Sequence, residues 1–454
     1  MRTYTLKKQP GLPLYESLYR AIREDILTGA LGPGEKLPSK RALASNLEVG
    51  KTTVEAAYNQ LLEEGYISSR ERSGFFVEAV EPRQQTRPAP PSREKKAPAP
   101  SAGADLTGNG TGQFPFSVWI RLQREVILDY GQKLLLPMDS RGALETRQAI
   151  ARNLGDFRGM AVDPENILIG AGTDFLYNLL LQLLGQDKLY GVEEPGYGKI
   201  RKIYAAGGVR CLSIPMDAWG IRPDRLGQAQ VLHISPSHHF PTGLVTPLSR
   251  RRVLLEWARN TGGYIIEDDY DTEFRFRGHP LAPMQTMDPE RVIYMNTFSK
   301  TLSPSIRISY MVLPEALMAR FREQLGFYGC TVPSFEQYTL AYFLDRGYFE
   351  KHINRMRKFY RARRNRVIAM LESCPAASKM TILEQDAGLH FLLKVETTLD
   401  DSALTALFAQ NGLHVQPLSS FYTHPTEDCR GMLVINYSAV DEKALEEGLG
   451  KLVL

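Results

Sequence analysis

The sequence predicts an α/β protein: a small helical head, a linker, and a large body built on a mainly parallel sheet with helices on both faces. Three observations carry this. Short apolar runs, NILIGAG (166–172), KLYGVEE (188–194), VLHISPS (231–237), GYIIEDDY (263–270) and RVIYMNTF (291–298), alternate with helix-patterned segments such as TDFLYNLLLQLLG and SRRRVLLEWARNTG. Strands apolar on both faces and separated by helices belong to sheets covered on both sides. The stretch EPRQQTRPAPPSREKKAPAPSAGAD (81–105) lacks hydrophobic periodicity and is rich in Pro, Ala and basic residues. It cannot bury enough apolar surface to offset its ordering entropy and reads as a semi-rigid linker. The first 79 residues carry a pattern of short helices closed by a basic hairpin.

These breaks divide the chain into a head, 1–79, a linker, 80–105, and a body, 106–454. From about residue 331 the pattern changes to a long charged helix followed by AGLHFLLKV and GMLVINYS, a small α+β subdomain. At 454 residues the chain suits several domains, and 43% hydrophobic with 23% charged residues is ordinary for a globular protein. No apolar run reaches the length of a membrane span, and the first residues show no signal-peptide core. Cys211, Cys330, Cys374 and Cys429 are far apart and show no metal-type spacing, so no metal is expected and a reducing cytoplasm is the simplest setting. A net charge of +4 does not by itself mark a nucleic-acid binder.

In the head, PLYESLYRAIREDILTGAL has apolar residues at helical spacing. Ser39 stands as an N-cap before SKRALASNL; EVG makes a turn; KTTVEAAYNQLLEEG makes a second helix that Gly65 ends. YISSRERSGFFV reads as two strands with basic and small residues between them. These motifs in this order resemble the winged helix-turn-helix head of the GntR family of bacterial transcription regulators. The resemblance implies binding to a double-stranded DNA operator. Lys51, Thr52, Thr53 and Tyr58 would lie on or near the recognition helix, Ser39 and Arg41 would meet phosphates, and Arg70, Arg72, Ser73 and Gly74 would form the wing.

The body offers a lysine with unusual company. In NTFSKTLSPSIRISY (296–310), Lys300 follows a strand and precedes Arg307. A lysine amine can condense with an aldehyde. Pyridoxal 5′-phosphate also needs phosphate donors, an acid for its pyridine nitrogen and a surface for its ring. GAGTDF places Gly172 and Thr173 between a strand and a helix start, where backbone N–H groups meet an anion. EEPGYGK puts Tyr197 on a loop, free to stack. EDDYD ends a strand with Asp268, suited to a pyridinium proton, and Tyr270, a donor to the ring oxygen. Ser299 and Arg307 can close the phosphate cup. Taken alone, EDDYD reads more readily as a solvated acidic turn or a metal site, and Lys300 as a surface lysine.

Together these stretches, with SRGALETRQAIARNL, HFPTG and EDDYDTEFRF, resemble fold-type I aminotransferases over 106–454. The whole chain resembles MocR-type regulators, a GntR head joined to an aminotransferase-like body. The resemblance implies a Schiff base at Lys300, the roles just given for Asp268, Tyr270, Tyr197, Gly172, Thr173, Ser299 and Arg307, and a homodimer. Two positions depart from the enzymes. Phe240 stands where catalytic relatives have an Asn before PTG, with His238 or His239 near enough to compensate. Val434 stands where amino-acid aminotransferases carry the Arg that pairs with the substrate carboxylate, and Arg430 lies four residues earlier. The expected function is a pyridoxal-phosphate-dependent transcription regulator whose effector is the cofactor itself or an amine or amino acid. A working aminotransferase with a DNA-binding head, and a DNA-binding protein on a cofactor-free scaffold, are the other readings.

Overall fold

The computed structural model describes residues 4, 13–71, 73–80, 103–108, 110, 113–276 and 281–454. The chain divides into two compact units, Met1–Ala99 and Pro100–Leu454. Most of the expected linker, 81–102, and Arg72 of the expected wing lie outside the described residues.

The first unit contains α1 (Leu14–Leu27), α2 (Lys40–Asn46), α3 (Lys51–Glu63) and a hairpin of β1 (Ile67–Arg70) and β2 (Gly74–Val77). Leu18 and Ile22 of α1, Leu43 of α2, and Val54, Ala57, Tyr58 and Leu61 of α3 form one core. Each large apolar side chain buried this way contributes about 1.5–3 kcal/mol. Ser39 caps α2 by accepting a hydrogen bond from the Ala42 amide at 3.2 Å. The hairpin is antiparallel, with Ile67 opposite Val77 and Arg70 opposite Gly74.

The second unit is built on an eight-stranded sheet. In spatial order its strands are Ile167–Ala171, Ile308–Val312, Val292–Thr297, Tyr264–Asp268, Val231–Ile234, Leu189–Glu194, Arg210–Asp217 and Gly220–Ile221. The five from Val292–Thr297 to Arg210–Asp217 are mutually parallel. Ile308–Val312 runs against both its neighbours. Successive residues on a strand face opposite ways. Leu168, Ile266, Ile293 and Met311 therefore pack on one face against Leu176, Leu180, Tyr204 and Met318. Ile167, Ile169, Tyr294 and Val312 pack on the other against Ile150, Leu154 and Leu340, while Ile265 and Val292 pack there against Leu254 and Leu255.

A second, antiparallel sheet of Met380–Leu383, His390–Val395, Met432–Asn436 and Gln416–Pro417 forms the small subdomain. The helix Tyr348–Ser373, 26 residues and about 39 Å long, joins the two layers. Phe349 and Ile353 at its start belong to the large core; Met356, Tyr360, Val367 and Leu371 belong to the small one.

Two boundaries differ from the sequence reading. The helix Ser334–Asp345, placed in the small subdomain by sequence, packs Leu340, Ala341 and Phe343 into the large core. Ala104 and Asp105, read as the end of the linker, form a short strand parallel to Leu413–His414, and Ala104 and Leu106 are buried in the small-subdomain core. Among the described residues, no helix is long and apolar enough to cross a membrane.

Candidate functional site

The carboxyl ends of the parallel strands are where ligands bind in open α/β sheets. Here a cavity of about 270 Å³ opens there, and all eight residues expected at a cofactor line it: Gly172, Thr173, Tyr197, Asp268, Tyr270, Ser299, Lys300 and Arg307. Seven are delivered at or just past the end of a buried strand, and Arg307 immediately precedes the strand Ile308–Val312.

Asp268 is the last residue of Tyr264–Asp268 and is nearly buried. Its Oδ2 accepts from the Tyr177 hydroxyl at 2.5 Å and lies 3.5 Å from His233 Nε2. Its Oδ1 is buried without a hydrogen-bond partner. A carboxylate oxygen left unpaired in the core costs roughly 1–3 kcal/mol until a donor reaches it. Tyr204 holds the far side of His233, with its hydroxyl 2.6 Å from Nδ1.

Gly172 and Thr173 begin the helix Thr173–Leu184. Gly172 has φ +87°, and a Cβ there would stand 2.7 Å from Nη2 of Arg307. The half-exposed Arg307 guanidinium donates to the Ala171 carbonyl at 3.1 Å and lies 3.9 Å from Asp174. Arg307 itself adopts φ +52°, a left-handed conformation that costs a non-glycine residue roughly 1–2 kcal/mol. Nearby, the Thr297 hydroxyl accepts from Ser309 at 2.8 Å and from the Ser299 amide at 3.1 Å, and donates to Ser299 Oγ at 2.9 Å. The arrangement joins a helix start, two hydroxyls and a guanidinium, the donor set of an anion site.

Lys300 sits in the turn after Val292–Thr297 and is partly buried. Loss of solvent lowers the pKa of its amine, and the Asp271 carboxylate opposes that shift. Tyr270 points its hydroxyl to within 3.4 Å of His238 Nδ1. Tyr197 stands at the cavity mouth, edge-on to Phe240 at 5.9 Å. Phe240 also meets His390 and Phe421, each at 5.1 Å.

His239 does not reach the cavity. Its Nδ1 is 2.7 Å from Thr242 Oγ1 and its Nε2 is 3.4 Å from Glu193. Burial pushes His239 down to about 3 and Glu193 up to about 8, so both are neutral near pH 7. Val434 lines the cavity from the strand Met432–Asn436. Arg430 is held elsewhere: its guanidinium donates to the carbonyls of Thr398 at 2.7 Å and Leu399 at 3.4 Å. It does not take up the role of the missing clamp.

Tyr177, His233 and Thr297 were not singled out from the sequence. Tyr177 falls four residues after Thr173, on the same helix face, a spacing that could have marked it.

The first unit presents its own candidate surface. Ser39, Arg41, Lys51, Thr52, Arg70 and Ser73 are exposed, and Thr53 and Gly74 are partly so. Arg70 lies over the Phe76 ring at 4.5 Å. Tyr58, expected at the DNA surface, is instead wholly buried. Its ring packs edge-on against Phe75 at 5.0 Å and its hydroxyl donates to the Pro38 carbonyl at 3.0 Å, so it is a core residue.

Residues 14–77 match the model for bacterial regulatory proteins of the gntR family, and residues 102–452 match aminotransferase class I and II. The chain is 37% identical to the HTH-type transcriptional regulator YdeL of Bacillus subtilis over 98% of this chain and 97% of that one. It is 30% identical to the probable rhizopine catabolism regulatory protein MocR of Rhizobium meliloti, over 98% and 94%. The chain belongs to the MocR-type subfamily of GntR regulators. The pyridoxine biosynthesis regulator PdxR of Corynebacterium glutamicum is 31% identical over 94% of this chain and 92% of that one. Among solved structures, a kynurenine aminotransferase of Pyrococcus horikoshii superposes with a TM-score of 0.67 at 26% identity, covering 78% of this chain and 90% of that one. As a MocR-type regulator with an aminotransferase-like body, the chain keeps the enzyme fold while placing Val434 and Phe240 at two positions lining its cavity.

Proposed function

We propose that the body binds pyridoxal 5′-phosphate in this cavity, covalently through Lys300, and that this occupancy sets how the head holds a double-stranded DNA operator. The observation that carries the reading is the unpartnered, buried Oδ1 of Asp268, fixed by Tyr177 on its other oxygen. An acceptor so placed is satisfied by a protonated ring nitrogen. The remaining residues fit the rest of the group. Gly172, Thr173, Ser299 and Arg307 would hold the phosphate, Tyr197 would cover the ring, and Tyr270 would donate to the ring oxygen. Bound pyridoxal phosphate supplies an aldehyde carbon open to amines. Burial of Lys300 favours its uncharged, nucleophilic amine.

In the head, Ser39, Arg41, Lys51, Thr52, Thr53, Arg70 and Gly74 would contact DNA, with cations on phosphates and the start of α3 in the major groove. The protein would act in the cytoplasm. It would act as a homodimer, joined through exposed apolar side chains of the segment 116–136 such as Ile120, Leu128, Leu135 and Leu136.

The effector is pyridoxal phosphate itself, or an amine or amino acid that meets it there. Val434 in the cavity wall and the diversion of Arg430 favour the first. Without a bidentate clamp, an α-carboxylate loses about 1.5–3 kcal/mol of binding. The same absence weighs against a working aminotransferase. Incubation with pyridoxal phosphate, amino donors and 2-oxo acids tests this: the regulator reading expects no sustained turnover, and steady multiple turnover would overturn it.

A further inference from the structure

Three side chains to which the proposed function gives no contact with the cofactor converge at the cavity, Asp271 and His390 lining it: His238, Asp271 and His390. They come from the loop after Val231–Ile234, the turn after Tyr264–Asp268 and the first residue of His390–Val395. All three are buried, with 3%, 2% and 3% of their surface exposed. A nitrogen from each ring and a carboxylate oxygen of Asp271 lie within 4.8 Å of one another.

His238 Nδ1 lies 2.9 and 3.0 Å from the two oxygens of Asp271, so this nitrogen and the carboxylate face each other across one shared proton, whose place an ion would take. The Pro241 carbonyl lies beside the His390 ring. Each ring keeps its Nε2 buried and without a hydrogen-bond partner. The bare, buried Nε2 of His390 is an acceptor that a cation beside the His238–Asp271 pair would satisfy. The backbone is also shaped around the His238 ring. Gly388 has φ +68°, and a Cβ there would stand 1.9 Å from His238 Cε1.

We infer that His238, His390 and Asp271 form a binding site for a divalent first-row transition-metal ion. Two imidazoles and one carboxylate suit zinc, cobalt or iron and leave coordination positions for water or a ligand in the cavity. His390 comes from the small sheet and the other two ligands from the large one. A bound ion would therefore fasten the small subdomain over the cavity. The site takes ligands from three distant segments, so no spacing in the sequence announces it. It does not depend on pyridoxal phosphate being bound.

Full-length protein stripped of metal by a chelator is titrated with Zn²⁺ by calorimetry and with Co²⁺ by visible absorbance. One ion per chain is expected, with zinc raising the melting temperature. His390→Gln and His238→Gln should each abolish that stoichiometric binding while keeping the wild-type circular dichroism. Absence of stoichiometric binding in the wild type, or undiminished binding in both variants, would overturn the site. X-ray absorption of the zinc-loaded wild type needs no variant: two imidazole ligands are expected, and one or none contradicts the assignment. Separate absorbance titration with pyridoxal phosphate keeps failure of this site distinct from failure of the cofactor reading.

Discussion

The guanidinium of Arg307 occupies the space that a side chain on residue 172 would need, 2.7 Å from where its Cβ would stand. Two remote stretches, GAGT and SPSIR, are thereby fitted together at the helix start. The conformation of Gly172, φ +87°, adds a second reason for glycine. Gly172→Ala should displace Arg307 and lower pyridoxal phosphate affinity tenfold or more, about 1.4 kcal/mol. Absorbance titration measures this, with circular dichroism confirming that the fold is kept. Wild-type affinity in the variant would show that the Arg307–Gly172 contact is not part of the phosphate site.

In the proposed reading Tyr177, which also lines the cavity, acts on the cofactor through its hydrogen bond to Asp268. Tyr177→Phe removes a 2.5 Å hydrogen bond to a carboxylate, the kind worth about 1.5–3 kcal/mol. The variant should bind pyridoxal phosphate more weakly and with an altered pH dependence of its visible band. Asp268→Asn should lose more. Equal losses in the two would argue that Tyr177 touches the ligand directly.

The Glu193–His239 pair predicts how stability changes with pH. Glu193 is raised from 4.5 to about 8 by burial, so the folded state binds the extra proton between those values. Its contribution is fully present below pH 4.5 and is lost as pH rises through 8. His239, depressed to about 3, works oppositely: the unfolded state binds more protons between 3 and 6.5, and stability is lost as pH falls through that window. Glu193→Gln should therefore flatten the decline in melting temperature between about pH 5 and 8 relative to wild type. An unchanged slope would show that Glu193 is not the group responsible.

The head separates core from surface. Tyr58→Phe should cost about 1 kcal/mol of head stability by orphaning the Pro38 carbonyl, seen as a lowered melting temperature, with DNA affinity unchanged below the transition. Lys51→Ala and Arg41→Ala should do the reverse, weakening DNA binding and each reducing the salt slope by about 1. A salt slope unmoved in both would place the DNA surface elsewhere.

Much of the cofactor site is legible in the sequence because a parallel sheet gathers the carboxyl ends of its strands. Gly172, Tyr197, Asp268 and Lys300 each follow a recognisable apolar run, and the fold needs only to bring those ends together. What the sequence hid falls into two kinds. Tyr58 sits at helical spacing with Val54, Ala57 and Leu61, the buried stripe of α3; the periodicity marked it as core, but its place in a DNA-binding motif suggested otherwise. His238 and Asp271 meet across two loops of the large sheet, and His390 joins them only through the packing of the small sheet on the large one. The segment 103–105 looked like linker because two residues are too short a strand to show alternation, and its partner Leu413–His414 lies some 300 residues away.

The central claim is that covalent capture at Lys300 changes how the protein holds DNA. The direct measurement is affinity for a DNA fragment selected in vitro by this protein, titrated with pyridoxal phosphate, in wild type and Lys300→Ala. The account predicts a shift of several-fold or more in the wild type, within the roughly 1–3 kcal/mol usual for coupled sites, and none in Lys300→Ala. An equal shift in both proteins, or no shift in the wild type although its visible band forms, would contradict it.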